Sequence, residues 1–202
     1  DTVFGYFTDE ALEHQTGLDG GKMKLSWMEE HQNVDYVKYQ LNDSDLGLDP
    51  KRHHLRLAEK QLLFLDEVFI FKNGGRHGNG YAYGKRQIDP EDWFFPCHFY
   101  EDPVMPGSLG VEAILQALQV FALDQKLGDS FKNPRFSPVL KVTKWKYRGQ
   151  IIPTTRIMQL ELHISKIEKL GSRVVLTANA SLWRDDLRIY EVTDISLAIQ
   201  ES

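Results

Sequence analysis

The run from Leu109 to Leu123 constrains the fold more than any other part of the sequence. Nearly every position in it is apolar, so a helix formed there has no face to turn to water and must be enclosed on all sides. The exceptions are Glu112, Gln116 and Gln119. At 100° per residue their i, i+4, i+7 spacing places them on one narrow stripe, and that stripe carries a carboxylate.

The flanking sequence supplies material for the enclosure. Leu62-Leu63-Phe64-Leu65 and Val68-Phe69-Ile70-Phe71 give a dense strand signal that ends at Asn73-Gly74-Gly75, a strong turn, and Gly78 to Gly84 resumes extended structure up to Asp89-Pro90. After the helix, Gly128 is placed as a C-cap and Asn133-Pro134 closes the connection. Three extended regions follow: Val139 to Tyr147, Thr155 to Ile167 with its alternation through Ile157, Gln159, Glu161, His163 and Ser165, and Arg173 to Ile199, broken once at Asp185-Asp186. The expected architecture is α+β, an antiparallel sheet of about six strands wrapped around one long buried helix. Residues 1–54 are less regular. A short helix is expected from Thr8 to Leu12, then a weak amphipathic pattern around Met23, Leu25, Trp27 and Met28, then the turn-rich Asn42 to Asp45. They read as an N-terminal extension or linker that wraps the domain or joins a neighbour, ahead of a domain at 55–202.

The entrance to the helix concentrates the chemistry. Pro103 and Pro106 hold the approach extended, Gly107 permits unusual backbone angles and Ser108 is placed to cap the helix. Unpaired N–H groups near Gly107 to Gly110 and the positive end of the helix dipole then suit a polarised carbonyl or an anion. His98 lies fourteen residues before Glu112, so a base, an acid and hydrogen-bond donors share one short segment. Taken singly, a histidine among aromatic residues is more often a packing residue, and a glutamate near a helix start often only complements the dipole.

Composition removes several classes. The net charge of −5 gives no support for nucleic-acid binding, and no apolar run is long enough to cross a membrane, which points to a cytoplasmic protein. Cys97 is the single cysteine, so no intrachain disulfide or thiolate cluster can form, and buried packing is the simpler role for it. The seven histidines form no HxxxH or HExxH pair, and no metal site is inferred. Gly78-Asn79-Gly80 lacks the third glycine and the following helix of a dinucleotide fingerprint. Gly107-Ser108-Leu109-Gly110 has Pro106 where a nucleophile elbow needs its first glycine.

The segment WFFPCHFYEDPVMPGSLGVEAILQ, Trp93 to Gln116, closely resembles the active-site segment of the β-hydroxyacyl-acyl carrier protein dehydratases, the hotdog-fold family of fatty acid synthesis. Its surroundings are most similar to the branch that also isomerises 2-enoyl to 3-enoyl chains, and to dehydratase domains of polyunsaturated fatty acid and polyketide synthases. Leu62 to Val68 resembles the family's first strand, and Tyr147 to Pro153 its turn after the helix, so the resemblance covers about residues 55 to 200. It implies a hotdog fold and syn removal of water from a (3R)-3-hydroxyacyl thioester to give a trans-2-enoyl thioester. His98 matches the family base that takes the C2 proton. Glu112 matches the acid that protonates the leaving hydroxyl, and the Gly107 N–H matches the donor to the thioester carbonyl. Val104, Ser108, Gln116 and Phe99 match positions that line or brace the site. The isomerising branch usually has aspartate where this chain has Glu112, which favours dehydration alone.

The resemblance further implies no cofactor, the substrate being carried on the phosphopantetheine arm of an acyl carrier protein. Lys141, Lys144, Lys146 and Arg148 are candidates for a basic rim facing that acidic partner. The family builds its site between two hotdog units, with the histidine from one and the acid from the other, so a homodimer or a second hotdog domain is expected. A chain opening at Asp1 fits a domain excised from a larger synthase. The rival readings are an acyl thioesterase on the same fold and a catalytically silent scaffold domain.

Overall fold

The computed structural model describes residues 8, 10, 14–41 and 55–202. Among them, eight strands form one antiparallel sheet: β1 (Val37–Gln40), β2 (Glu67–Phe71), β3 (Tyr81–Gln87), β4 (Pro134–Pro138), β5 (Lys144–Tyr147), β6 (Ile157–Leu170), β7 (Arg173–Arg184) and β8 (Leu187–Glu201). The order across the sheet is β1-β2-β3-β6-β7-β8-β4, and β5 also pairs with β8. A one-turn helix α1 (Trp27–Glu30), a 3₁₀ turn at Lys60–Leu62 and the long helix α2 (Gly107–Asp124) complete the elements. The short helix expected from Thr8 to Leu12 and the turn expected at Asn42 to Asp45 lie largely outside the described residues.

Alternation decides which face of the sheet meets α2. Val68 and Ile70 of β2, Ala82 of β3, Leu160, Leu162 and Ile164 of β6, and Leu176, Ala178 and Leu182 of β7 join Ala113, Ile114, Ala117, Leu118 and Phe121 of the helix in one core. All of these helix residues are buried, and α2 touches β2, β3, β6, β7 and β8. The sheet therefore curls round the helix, the hotdog arrangement of an α+β fold. Closure is tight at Gly80, whose φ of +124° suits only glycine and where a Cβ would lie 2.3 Å from the Phe121 ring.

The expectations fail where side chains or edges replace ordinary strand pairing. Two strands beyond the expected six are present. β1 has little hydrophobic signal and takes its register from β2, Val37 facing Ile70 and Gln40 facing Glu67. β4 begins and ends in proline, which is tolerated because it lies at the sheet edge beside β8. Leu62 to Leu65 is not a strand: the Leu62 carbonyl and the Phe64 N–H are occupied by the side chain of Gln116. Of Val139 to Tyr147, only Lys144–Tyr147 is strand. Gly128 does not cap α2. Lys126 holds the left-handed position (φ 54°), with Leu127 N–H donating to the Ala122 carbonyl and Lys126 N–H to that of Leu123, a Schellman ending. Gly128 instead lets Leu55 approach, a Cβ there lying 2.8 Å from its Cδ1.

The outer face of the sheet is covered from residue 15 onward by a strap that crosses the strands. Gln15 bonds Gln150, Asp19 takes the Arg188 guanidinium of β8 with both carboxylate oxygens at 2.7 Å, and the Lys24 carbonyl accepts from the Trp183 indole of β7. Next, the Trp27 N–H donates to Glu161 of β6 (2.9 Å) and the Met28 N–H to the Tyr81 hydroxyl of β3 (3.2 Å). Tyr36 meets the Phe69 ring of β2 edge-on, and the chain then enters β1. Under α1 this makes a second small core of Phe69, Phe71, Tyr81 and Tyr83 against Trp27 and Met28. Ser26 starts α1 with a reciprocal capping box to Glu29.

One buried carboxylate organises this face. Glu161 also accepts from the Tyr81 hydroxyl at 3.1 Å and lies 3.3 Å from His163 Nε2. Because the Arg76 N–H donates to His163 Nδ1, the ring proton sits on Nε2 and faces Glu161, off the line of a good hydrogen bond. Burial pushes the Glu161 carboxyl up, but attraction to His163 and the bonds from Trp27 and Tyr81 outweigh it and hold it below its ordinary value. A lowered folded-state value means that its stabilising contribution is present above the ordinary 4.5 and fades as pH falls through the folded value. Glu161→Gln is therefore expected to lower the thermal midpoint at pH 7 by roughly 3–10 °C, with the gap to the unmodified protein narrowing at pH 3 in thermal denaturation.

Candidate active site at the mouth of the buried helix

The loop between β3 and α2 is built from its apolar residues outward. Phe94 and Phe95 are buried and pin its first half, Val104 and Met105 its second. Between them the chain doubles back through reciprocal bonds between Phe99 and Asp102 (N–H to carbonyl, 2.9 and 3.2 Å). This sets His98, half-buried, against Val104. The Val104 N–H donates to the His98 carbonyl at 2.7 Å, and His98 Nδ1 lies 2.9 Å from the Val104 carbonyl. A carbonyl can only accept, so the proton of a neutral ring sits on Nδ1 and Nε2 keeps its lone pair. Phe99 packs on the imidazole, its ring centre 3.8 Å away.

Glu112 is held from its own helix. Gln116, one turn later and fully buried, donates Nε2–H to Glu112 Oε1 at 3.1 Å and to the Leu62 carbonyl at 2.8 Å, while its Oε1 accepts the Phe64 N–H at 2.8 Å. Exchanging the two ends of that amide would set N–H against N–H at Phe64, so its orientation is determined. The amide joins the acid to the chain wall beside the helix, and among the described residues Oε2 of Glu112 has no hydrogen-bond partner. Gln119, the third residue of the stripe, has its side-chain oxygen buried without a protein partner among the described residues.

The mouth of α2 differs from expectation in two respects. Pro106, not Ser108, occupies the N-cap position and makes no side-chain cap; Ser108 is the second helical residue and is exposed. Gly107 has no left-handed backbone angle, and its lack of a side chain serves contact instead, since a Cβ there would lie 2.9 Å from the Trp145 ring and 3.3 Å from that of Tyr147. As the first residue of the helix, its N–H has no preceding turn to donate to. Its carbonyl accepts the Tyr190 hydroxyl at 3.1 Å, and Tyr190 packs so closely that a Cβ on Gly110 would lie 2.6 Å from its ring. Burial raises both phenols, Tyr147 to about 12 and Tyr190 well above the ordinary value, so both stay protonated at neutral pH.

His98 with Val104 and Phe99, and Glu112 with Gln116, thus form two arms that make no hydrogen bond to each other within the described residues. Trp145, Tyr147 and Tyr190 carry no signal of this placement in the sequence, because aromatic residues alternating in strands look like any sheet packing. Of the expected basic rim, Lys146 is paired with Glu191 at 2.6 Å and Lys141 lies 3.9 Å from Asp194. No helix among the described residues is long and apolar enough to cross a membrane.

Comparison with known proteins matches residues 57–193 to the FabA-like domain. Over 208 aligned positions the chain is 34% identical to a polyunsaturated fatty acid synthase polypeptide of Thraustochytrium sp., covering 98% of this chain and 14% of that protein. The chain therefore spans only a small part of that relative. Among solved structures, the dehydratase heterocomplex ApeI:P from Xenorhabdus doucetiae aligns with a TM-score of 0.48 at 9% identity, over 75% of this chain and 89% of that one. A putative thioesterase from Shewanella oneidensis aligns at 0.40 and 12% identity, over 62% and 79%. The family match runs through the sheet and helix described above and takes in more than half of the chain, which belongs to the FabA-like family.

Proposed function

We propose that this chain is a dehydratase that removes water from (3R)-3-hydroxyacyl thioesters carried on the phosphopantetheine arm of an acyl carrier protein, giving trans-2-enoyl thioesters in fatty acid or polyketide synthesis. Family membership supports a dehydratase-type role, and the observation that carries the assignment to residues is the fixed tautomer of His98. With Nδ1–H on the Val104 carbonyl, Nε2 is the atom available to take a proton. In the proposed step Nε2 removes the C2 proton, the electrons of that bond form the C2=C3 double bond, and the C3–O bond breaks. The Glu112 carboxyl gives its proton to the departing hydroxyl, which leaves as water. Proton exchange with solvent then resets both groups.

The remaining residues serve that step. A C2 proton beside a thioester is a weak acid, and the Gly107 N–H at the positive end of α2 is the donor that would stabilise enolate-like charge on the carbonyl. Gln116 orients Glu112, Val104 sets the His98 ring, Phe99 backs it, and Ser108 lies on the exposed first turn where substrate would enter. The reaction so written needs no cofactor or metal. Phe99 and Tyr100, directly after the base, are 55% and 87% exposed, which favours cover by a second hotdog unit, in a homodimer or from a neighbouring domain. Glu112 in place of the isomerising branch's aspartate favours dehydration without movement of the double bond.

Incubation of the purified protein with a 3-hydroxyacyl thioester is expected to produce enoyl absorbance without free thiol; free thiol without enoyl product would assign a thioesterase instead. His98→Ala and Glu112→Gln are each expected to lower kcat by about 10²- to 10⁴-fold, and unchanged turnover in His98→Ala would leave a scaffold role. Gln116→Leu strands the Leu62 carbonyl and the Phe64 N–H, and is expected to cost about 1–3 kcal/mol in denaturant unfolding and to lower kcat as Glu112 loses its guide. Sedimentation of the active protein is expected to show a dimer, and full activity from a strict monomer would refute the second unit.

A further inference from the structure

We propose that Tyr190 is a positioning residue whose hydroxyl fixes the backbone of Gly107 and so aims the Gly107 N–H at the thioester carbonyl. The inference rests on the reading of that N–H as the donor to the carbonyl. It involves Gly107 and Tyr190 of one chain, whichever units supply the base and the acid. Tyr190 stands on β8, opposite Tyr147 of β5 and Leu182 of β7. It is buried, and its hydroxyl donates to the Gly107 carbonyl at 3.1 Å.

Gly107 needs such a tie, because a glycine backbone has the widest freedom and the rings at the helix mouth leave no room for a side chain that would restrict it. The peptide ahead of Gly107 is oriented by its own carbonyl, that of Pro106, which accepts the Leu109 N–H at 2.9 Å. One step earlier the Met105 N–H donates to the Ile151 carbonyl at 2.8 Å. The Pro106–Gly107 peptide is trans, so its N–H points opposite to that carbonyl and away from the helix. The peptide after Gly107 is the one that Tyr190 holds. With the peptides on both sides fixed, the Gly107 N–H keeps one direction.

Packing alone does not call for the hydroxyl. The Tyr190 ring meets those of Trp145 and Tyr147, with centres 5.3 and 5.1 Å away. A phenylalanine ring would make the same contacts and bury no polar atom. Nor does the Gly107 carbonyl lack a donor, since its place in the first turn of α2 gives it the N–H of Val111. What the phenol adds is a bond from outside the helix, which registers the first turn against β8.

The test compares the whole protein with Tyr190→Phe. It reads kcat and KM in the dehydration assay and, by isotope-edited infrared difference spectroscopy, the carbonyl stretch of a bound saturated acyl pantetheine thioester, which can neither lose nor gain water. A donor aimed at the carbonyl lowers that frequency below its value in the free thioester. The lowering is expected in the unmodified protein and is expected to shrink by about half or more in Tyr190→Phe, with kcat reduced about tenfold and KM within about threefold. Only folded protein binds the thioester, so a loss of stability alone leaves the band where it was. Gly110→Ala, whose methyl would lie 2.6 Å from the Tyr190 ring, displaces the hydroxyl without removing it. It is expected to give the same loss, and it is the variant read if Tyr190→Phe does not fold. An unchanged band or an unchanged kcat in the variant read overturns the proposal. No lowering in the unmodified protein overturns the donor reading of Gly107 and the proposal with it. A protein with the lowered band but no dehydration loses the proposed function alone, and the band in Tyr190→Phe then decides the role of the hydroxyl.

Discussion

A fully enclosed carboxamide must find a partner for each of its polar atoms, and at Gln116 that requirement ties three parts of the molecule together. The helix that carries it is apolar on its other faces and survives only inside a curled sheet. The amide turns that enclosure into register. It binds the chain wall before β2 through Leu62 and Phe64, and it aims the carboxylate of Glu112. Removing the sheet would expose the helix, and removing the amide would leave helix and wall packed but no longer indexed to each other.

The opposite face of the sheet follows the same logic with a charge in place of an amide. Glu161 gathers a backbone N–H of the strap, a phenol of β3 and an imidazole of its own strand, so one buried carboxylate fixes how the strap crosses the middle of the sheet. The two polar centres stand on opposite faces and share no residue. Between them runs the apolar layer of β2, β3, β6 and β7, which keeps the chemistry of the helix mouth separate from the anchoring of the strap.

What was legible in the sequence was whatever periodicity alone determines. The apolar run with its polar stripe identified α2, the alternation through Glu161 and His163 identified β6, and Asp185-Asp186 marked the turn between β7 and β8. His98, Glu112 and Gln116 stood out by type and spacing. The pairs His98 with Val104 and Glu112 with Gln116 are geometric facts that spacing only suggests. Errors arose where a partner distant in sequence overrides a local preference. Leu62 to Leu65 has strand composition, yet a side chain occupies its hydrogen bonds. Gly107 and Gly128 look like conformational glycines, yet each makes room for a neighbour, Trp145 and Leu55 respectively.

The strap has a mechanical consequence. It fastens in turn to β8, β7, β6, β3 and β2 before becoming an edge strand itself, so it runs across the strands as a tie runs across the staves of a cask. Because the strap lies on the convex face, a sheet that curled more tightly would lengthen the path between those fastenings, and each would resist in tension. The bore that surrounds α2 is thus limited from outside as well as by the packing within, and it cannot narrow without first loosening those fastenings.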